Sequence, residues 1–334
     1  MIDKVAKLIC VSVVAGGSAT LLIWNKKTGS HLKGIHRYRD PSLGEMVSVN
    51  GCALPKQVYD SVGKIKAFPV RESDIFVATF PKSGTTWVQE IVYLIESDLD
   101  FQTAKSTRID DRFPFLEFPC PGMKTIGKSA SPRFIKTHLP WQLLPDEVYT
   151  KKPKIIYVAR NAKDVSVSYY HFCRTLTFLN FDGDFTEFFR MFVDGTVSYG
   201  PWRDHITDYW EARNEANILY LTYEELQQDV HSVIGKIADF LGKPLNDERI
   251  KLIAFHCRFD NMKRNTAINY NWLKEMGIAS KESPFMRKGI TGDWKNYYSK
   301  EMFDEIEDYV DKYVPADLNR RMVVSTAAGR NDKT

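Results

Sequence analysis

The sequence predicts one α/β domain with a central parallel sheet flanked by helices. Four short, largely apolar segments have the composition of strands that are covered on both faces. Segments with helical periodicity alternate with them, which is typical of parallel sheets. The predicted strands are Ile75–Phe80, Arg133–Thr137, Lys154–Ala159 and Ile218–Thr222. Ligands of such sheets bind at the carboxyl ends of the strands.

Helices are predicted where apolar residues recur every three to four positions. The helix after the first strand has one apolar face, formed by Trp87, Val88, Ile91, Val92 and Ile95. The others run from Arg160 through Asp164 to Phe172, over Asp184–Asp194, His205–Asn214, Thr222–Leu241 with a break near Gln228, and Asp247–Ala254. The domain is predicted to cover 45–318. Residues 319–334 are predicted to form a disordered tail, because the last ten are small and polar.

Composition excludes several classes of protein. The 334 residues include 46 basic and 42 acidic side chains, and a net charge of +4 is too mild to indicate a nucleic-acid partner. The five cysteines are scattered and odd in number, with no metal-ligand spacing. They favour a reducing compartment, a cytoplasmic catalytic domain and no bound metal.

The N-terminal segment 1–30 is separate from this domain. Residues 8–24 carry no charge, and their length lies at the lower limit for crossing a bilayer. A membrane anchor, a signal peptide and a loosely ordered apolar tail remain alternatives, although no small-x-small cleavage site follows Trp24. If the segment spans a membrane, the larger basic cluster after it keeps the main domain cytosolic.

The loop Pro81–Trp87 follows the first predicted strand and leads into a helix. Such a junction presents backbone N–H groups and the positive end of a helix dipole, which together bind phosphate. Further donors are supplied by Lys82, Ser83, Thr85 and Thr86. The loop is not a Walker A motif, because Lys82 precedes Gly84 and no earlier glycine is present. An ordinary strand-to-helix turn is the alternative.

Lys136 and His138 lie at the end of the second strand. Strand alternation places both on one side, where they could hold an anion and accept a proton. A structural histidine that caps the turn before Pro140 is the alternative for His138.

Two further basic motifs indicate a second phosphate group. Arg160 ends the third strand, and Ser168 lies about two turns into the next helix. A guanidinium and a hydroxyl could share a phosphate, although Arg160 and Asp164 could also form a plain surface pair. The segment Arg287-Lys288-Gly289 could form a flexible basic phosphate loop or a solvated turn.

Together these four motifs resemble, in order and rough spacing, the cytosolic sulfotransferase family. The resemblance runs from about Glu45 to Tyr313, and parts of it are similar to invertebrate members related to retinol dehydratase. It implies a P-loop-kinase-like sulfotransferase fold. It also implies transfer of a sulfuryl group from 3′-phosphoadenylyl sulfate (PAPS) to a small acceptor.

The resemblance also implies roles for individual residues. The 5′-phosphosulfate would be held by Lys82, Ser83, Gly84, Thr85 and Thr86. The adenine would stack on Trp87, with Tyr223 and Phe259 nearby, and the 3′-phosphate would be bound by Arg160, Ser168, Arg287, Lys288 and Gly289. His138 would be the general base. Lys82 and Lys136 would stabilise the transferring group, so that no metal is needed.

The predicted acceptor is a small hydrophobic phenol, alcohol or amine. Its pocket would be lined by Lys136 and His138 and by apolar walls from Phe113, Phe115, Phe118 and Phe172, although core packing is the alternative for these phenylalanines. A retinol-dehydratase-like sulfation and elimination, and a catalytically silent nucleotide-binding protein, remain alternative functions. Family members often dimerise through a segment that aligns with Lys295–Asp304. Here Lys300 replaces an apolar residue, which leaves dimerisation uncertain.

Overall fold

The computed structural model describes residues 36–40, 44–119, 121–177, 179, 181–280 and 284–323. The predicted segment 1–30 lies outside them. The strands are β1 His36–Asp40, β2 Gly44–Val49, β3 Cys52–Pro55, β4 Ile75–Thr79, β5 Phe134–Thr137, β6 Lys154–Ala159 and β7 Ile218–Thr222. Strands β4 to β7 match the four predicted strands to within one residue.

Helices pack around these strands. The first nine are α1 Lys56–Tyr59, α2 Val62–Lys66, α3 Thr85–Glu96, α4 Phe101–Ser106, α5 Ile109–Arg112, α6 Gly122–Lys128, α7 Val148–Lys151, α8 Ala162–Thr175 and α9 Phe185–Val193. The rest are α10 Trp202–Ala212, α11 Tyr223–Gln228, α12 Val230–Leu241, α13 Asp247–His256, α14 Phe259–Arg264, α15 Trp272–Glu275, α16 Lys300–Tyr313 and α17 Ala316–Arg321. Short 3-10 turns lie at Trp141–Leu143 and Asp293–Asn296.

The four parallel strands form one sheet in the order β5-β4-β6-β7. Their register aligns Ala78 with Thr137 and Ala159 with Thr222. The residue that follows the last residue of each strand therefore lies at the same end of the sheet, its carboxyl edge. That edge carries Phe80, His138, Arg160 and Tyr223. The predicted α/β fold with a parallel sheet is confirmed.

Helices cover both faces of this sheet. Phe76, Ile155 and Tyr157 pack into one core with α8, α9 and α10. Ile75, Val77 and Ile156 alternate with them and pack into a second core with α3 and α12. Burial on both faces explains why the strands read as apolar runs rather than as an alternating pattern. The predicted break near Gln228 is also present, because Asp229 caps α12 by accepting from the Ser232 amide.

A small antiparallel sheet, β1-β2-β3, precedes the main sheet and was not predicted. Its second hairpin turns at Asn50 and Gly51, both at positive φ. The pair Asn-Gly is the residue pair that this turn favours. Strand β3 and all of β2 except Gly44 lie within the predicted domain 45–318, whereas β1 precedes its predicted start.

The amino ends of β4 and β5 are joined by a buried ion pair. The Asp74 carboxylate accepts from Arg133 Nε at 2.7 Å and from Arg133 Nη2 at 2.5 Å. Both side chains are at most 2% exposed. This contact fixes the outer strand β5 to the central strand β4 at the amino end of the sheet.

The C-terminal boundary lies later than predicted. Helix α17 crosses position 319, and Met322 after it is 2% exposed because it packs into the first core. Residues 324–334 of the predicted tail lie outside the described residues. Over the described ranges, we find no helix that combines the length and the apolar character needed to cross a bilayer.

Candidate active site

The loop after β4 has the geometry of an anion cradle. Lys82 adopts φ +70° and Gly84 adopts φ +104°, immediately before α3 begins at Thr85. The first amides of a helix have no intrahelical acceptor. Ser83 Oγ is buried without a hydrogen-bond partner among the described residues. Because a buried hydroxyl is costly to leave unpaired, the loop is suited to receive an oxyanion here.

Gly84 is required by a close contact as well as by its backbone angle. A Cβ at this position would lie 2.8 Å from Tyr223 Cδ2. Tyr223 in turn meets Trp87 edge-on, with ring centroids 5.7 Å apart. The predicted adenine residues Trp87 and Tyr223 are therefore neighbours, and Trp87 Nε1 lacks a hydrogen-bond partner among the described residues.

Lys82 lies between two aromatic rings. Its Nζ is 4.1 Å from the centroid of Phe285 and 4.5 Å from that of Phe172. Burial, followed by the charges of Arg160 and Lys136, lowers the pKa of Lys82 to about 7. Within the part of the chain that the structure describes, no carboxylate pairs with this ammonium. The charged form of Lys82 thus lacks a counterion among the described residues.

Arg160 joins the loop after β4 to the basic loop. Its Nη1 donates to the Lys82 carbonyl at 3.1 Å and its Nη2 to the Ile290 carbonyl at 3.0 Å. The guanidinium also lies 4.1 Å from the ring centroid of Tyr223. The alternative of an Arg160–Asp164 surface pair is wrong, because Asp164 is buried and accepts from the Gly292 amide instead.

The predicted basic loop is folded over the same edge. Arg287 Nη1 and Lys288 Nζ each lie 2.5 Å from the Asp293 carboxylate. Asp293 was not predicted, and these cations hold its pKa at about 2 against the effect of burial. Gly289 has φ +66°, and a Cβ on it would lie 2.1 Å from Phe259 Cδ2. Phe259 thus packs directly against this loop.

Gln227 connects the basic loop to the aromatic pair. Its Nε2 donates to the Gly289 carbonyl at 3.0 Å and to Tyr223 Oη at 3.1 Å. Ser168 is half-buried on α8, one turn beyond Asp164, which accepts from the basic loop. The loop after β4, Arg160, Tyr223 and the basic loop therefore meet at one end of the sheet, whereas no contact among the described residues ties Ser168 to them.

His138 is held in one tautomer. Its Nδ1 lies 2.8 Å from the Thr79 carbonyl, which can only accept, so Nδ1 carries the hydrogen. Nε2 is then left with its lone pair. Burial, followed by the nearby Lys136 charge, lowers the pKa of His138 well below its usual value. The ring is therefore neutral at physiological pH.

Glu117 fixes the backbone of His138 and was missed from the sequence. Its Oε1 accepts from the His138 amide at 2.6 Å and its Oε2 from Thr137 Oγ1 at 2.9 Å. Burial raises the pKa of Glu117 to about 7. On the other side, His205 Nε2 donates to the His138 carbonyl at 2.9 Å. A carboxyl inside the run Phe115-Leu-Glu-Phe118 was the available signal.

The structure places some of the predicted acceptor-pocket phenylalanines at the site and one of them in the core. Phe115 packs 5.1 Å from the His138 ring and 4.5 Å from Phe118, between ring centroids. Lys136 Nζ lies 4.3 Å from the centroid of Phe115. Phe113 is instead fully buried and stacks on Phe134, because it ends helix α5, whereas Phe115 forms a parallel bridge to Lys136. Its assignment to the pocket is wrong, whereas Phe172 lies at the site beside Lys82.

This end of the sheet therefore combines two groups of cations, an aromatic pair and a neutral histidine. The class of protein that this arrangement defines is a nucleotide-dependent group transferase. Comparison with known proteins makes the class specific. Residues 72–319 match the family model described as "Sulfotransferase domain".

Individual relatives agree with that match. Sulfotransferase 1 family member D1 of Rattus norvegicus is 41% identical over 282 residues, covering 83% of this chain and 96% of that protein. Human Sulfotransferase 1E1 is 41% identical over 264 residues, covering 77% and 90%. A crystal structure of retinol dehydratase with androsterone and the inactive cofactor PAP superposes with a TM-score of 0.76, at 31% identity over 81% and 90% of the chains.

The chain belongs to the cytosolic sulfotransferase family. It is a transferase of sulfur-containing groups, and it uses PAPS as the sulfuryl donor for small acceptors. The predicted family, enzyme class and co-substrate are thereby confirmed. The roles of individual residues, the acceptor and the oligomeric state stay predictions.

Proposed function

We propose that this enzyme sulfates the hydroxyl or amine of a small hydrophobic acceptor, with His138 as general base. The observation that carries the proposal is the fixed tautomer of His138 beside two lysines. Its Nε2 is left to accept a proton, because Nδ1 is committed to Thr79. Lys136 and Lys82 both lie close enough to affect the His138 charge.

The residues along the sheet edge fit PAPS. The orphaned hydroxyl of Ser83 and the uncompensated Lys82 suit the 5′-phosphosulfate. Arg287 and Lys288 suit the 3′-phosphate, together with Arg160 and Ser168. Trp87, Tyr223 and Phe259 suit the adenine. When bound, PAPS supplies the sulfuryl group on a good leaving phosphate.

The protein supplies the base, the cations and a dry site. His138 Nε2 takes the proton of the acceptor and keeps it until release to solvent. Lys82 and Lys136 neutralise the spread-out negative charge, which is the main requirement of such transfers. Phe115, Phe118, Phe172 and Phe285 exclude water, which strengthens both lysine interactions.

We expect nucleotide binding to take up a proton at Lys82. With a pKa of about 7, this lysine is about nine-tenths neutral at pH 8. A bound phosphate favours the ammonium and raises the pKa of Lys82, so up to about 0.9 proton should be absorbed per PAP bound. Calorimetry at pH 8 in buffers of different ionisation enthalpy measures this uptake. By the same linkage, kcat/KM for PAPS should fall as pH rises above about 7.

Lys82→Arg is the matched control for proton uptake. A guanidinium stays charged at every accessible pH, so this variant should bind PAP with less proton uptake than the wild type. Protons exchanged by Lys136 or by the nucleotide itself are common to both proteins. Equal uptake by both would contradict the assignment to Lys82.

Transfer of a labelled sulfuryl group tests the proposed function directly. We expect the purified enzyme to transfer ³⁵S from PAPS to at least one compound in a panel of phenols, steroids, retinoids, alkanols and amines. Tight PAP binding without transfer to any of them would favour the silent nucleotide-binding alternative. Identification of each product by mass spectrometry is part of the same assay.

A sulfation followed by elimination is the second candidate function. It is supported by two retinol dehydratase structures, which superpose with TM-scores of 0.76 and 0.75 at 31% identity. The two functions differ in the product from a retinoid alcohol. A stable sulfate ester supports simple transfer, and an anhydro hydrocarbon with free sulfate supports elimination.

A further inference from the structure

A carboxylate that the mechanism does not use lies beside the proposed acceptor pocket. Asp110, in helix α5, accepts a hydrogen bond from Tyr270 Oη at 2.9 Å through Oδ1. Burial raises the pKa of Asp110, and Lys136 is the largest influence in the other direction. No ion pair of Asp110 is found among the described residues. Asp110 is partly buried, and Tyr270 is the hydrogen-bond donor to its carboxylate among the described residues.

Tyr270 places this carboxylate at the acceptor pocket. Its ring packs at a tilt against Phe285, with centroids 4.2 Å apart, and Phe285 covers Lys82. Lys136 Nζ lies 5.8 Å from the same Tyr270 ring and 4.3 Å from Phe115. Asp110 is thus hydrogen-bonded to Tyr270, one of the aromatic side chains that lie against Lys82 and Lys136.

Helix α5 holds Asp110 in this place. The Ile109 amide donates to the Ala267 carbonyl at 2.8 Å, which ties the helix to the segment before Tyr270. Arg112 points the other way and pairs with the buried Glu90. The neighbouring charges Arg108 and Asp111 are exposed, so solvent screens them more strongly than Asp110.

The charges at the pocket then distinguish acceptors that carry an ammonium group from acceptors that do not. The phosphosulfate neutralises Lys82 and Lys136 once the nucleotide binds, and Asp110 is left as an uncompensated anion at the pocket. We propose that Asp110 selects acceptors that carry an ammonium group at the end remote from the reacting hydroxyl. The inference rests on the proposed function and adds the substrate class, that of phenolic or alcoholic amines.

Two phenols of similar size test this selection. Tyramine and 4-ethylphenol share the reacting hydroxyl and differ by the terminal ammonium. We expect Asp110→Asn to lower the ratio of kcat/KM for tyramine to that for 4-ethylphenol by about tenfold or more, the usual loss for a hydrogen bond to a charged group. An unchanged ratio would overturn the proposal.

Tyr270→Phe separates selection from a structural role. This variant removes the hydrogen bond to Asp110 but keeps the carboxylate, so its ratio should stay within about threefold of the wild type. If both variants lower the ratio equally, Asp110 only positions Tyr270 and the proposal fails.

Binding to the enzyme–PAP complex provides a readout without turnover. Calorimetry should show that Asp110→Asn weakens the binding of tyramine by about tenfold more than it weakens the binding of 4-ethylphenol. Equal weakening would reject the selection even if catalysis proceeds. Failure of the proposed function gives a different pattern, in which PAP and tyramine bind but neither phenol is sulfated by the wild type.

Discussion

His138→Ala should lower kcat by about 10²–10⁴-fold and leave PAP binding within about threefold of the wild type. The loss is the usual contribution of a positioned general base. His138 is suited to this part because its Nδ1 hydrogen is committed to the Thr79 carbonyl and its pKa lies well below the ordinary value. A neutral imidazole with a single exposed lone pair can accept a proton throughout the physiological range.

Two measurements separate a base from a turn-capping histidine. Imidazole added to His138→Ala should restore part of the rate, since the missing ring leaves space beside Phe115. His231→Ala removes an exposed imidazole from α12 and should change neither kcat nor PAP binding. If His138→Ala kept more than about a tenth of the wild-type rate, the residue would not be the base.

The pH profile gives an independent check on His138. Because burial and Lys136 lower its pKa, the imidazole of the free enzyme binds a proton only well below pH 6.5. The acid side of the wild-type profile should therefore stay flat through pH 6.5. An acid limb centred near pH 6.5 would indicate an unperturbed, solvated histidine instead.

Much of this site could be predicted because it depends on chain-local patterns. Apolar runs define β4 to β7, and in a parallel sheet the residue after each strand must lie at a common edge. That rule alone brings His138 and Arg160 to the loop of Lys82. The family resemblance then assigned their roles, and the family itself is confirmed.

What could not be predicted depends on contacts between distant segments. Glu117 supports His138 through two hydrogen bonds that no spacing rule specifies. Asp293 holds both cations of the basic loop, and Phe285 covers Lys82 from more than 200 positions away. Phe113 and Phe115 looked equivalent in the sequence, yet one is core and the other faces His138. Positions two apart share a face only within one continuous strand, and here Phe113 ends helix α5 while Phe115 bridges to Lys136.

The largest stability effect is expected at the other end of the sheet. Arg133→Met should destabilise the protein by about 3–5 kcal/mol, because it leaves the Asp74 carboxylate buried without its countercharge. Among the described residues, the Arg71 amide at 2.8 Å would remain to satisfy it. At about 2–4 °C per kcal/mol for a domain of this size, Tm should fall by roughly 6–20 °C. Urea unfolding gives the free energy directly.

A double variant and a surface variant make this measurement specific. Asp74→Asn combined with Arg133→Met removes both charges and keeps an acceptor for the Arg71 amide, so it should recover at least half of the loss. Arg190→Met breaks the exposed pair with Glu305 and should cost only about 0–1 kcal/mol. A small cost for Arg133→Met, equal to that of Arg190→Met, would mean that water reaches Asp74 in the folded state. The amino ends of β4 and β5 would then be held by backbone pairing alone.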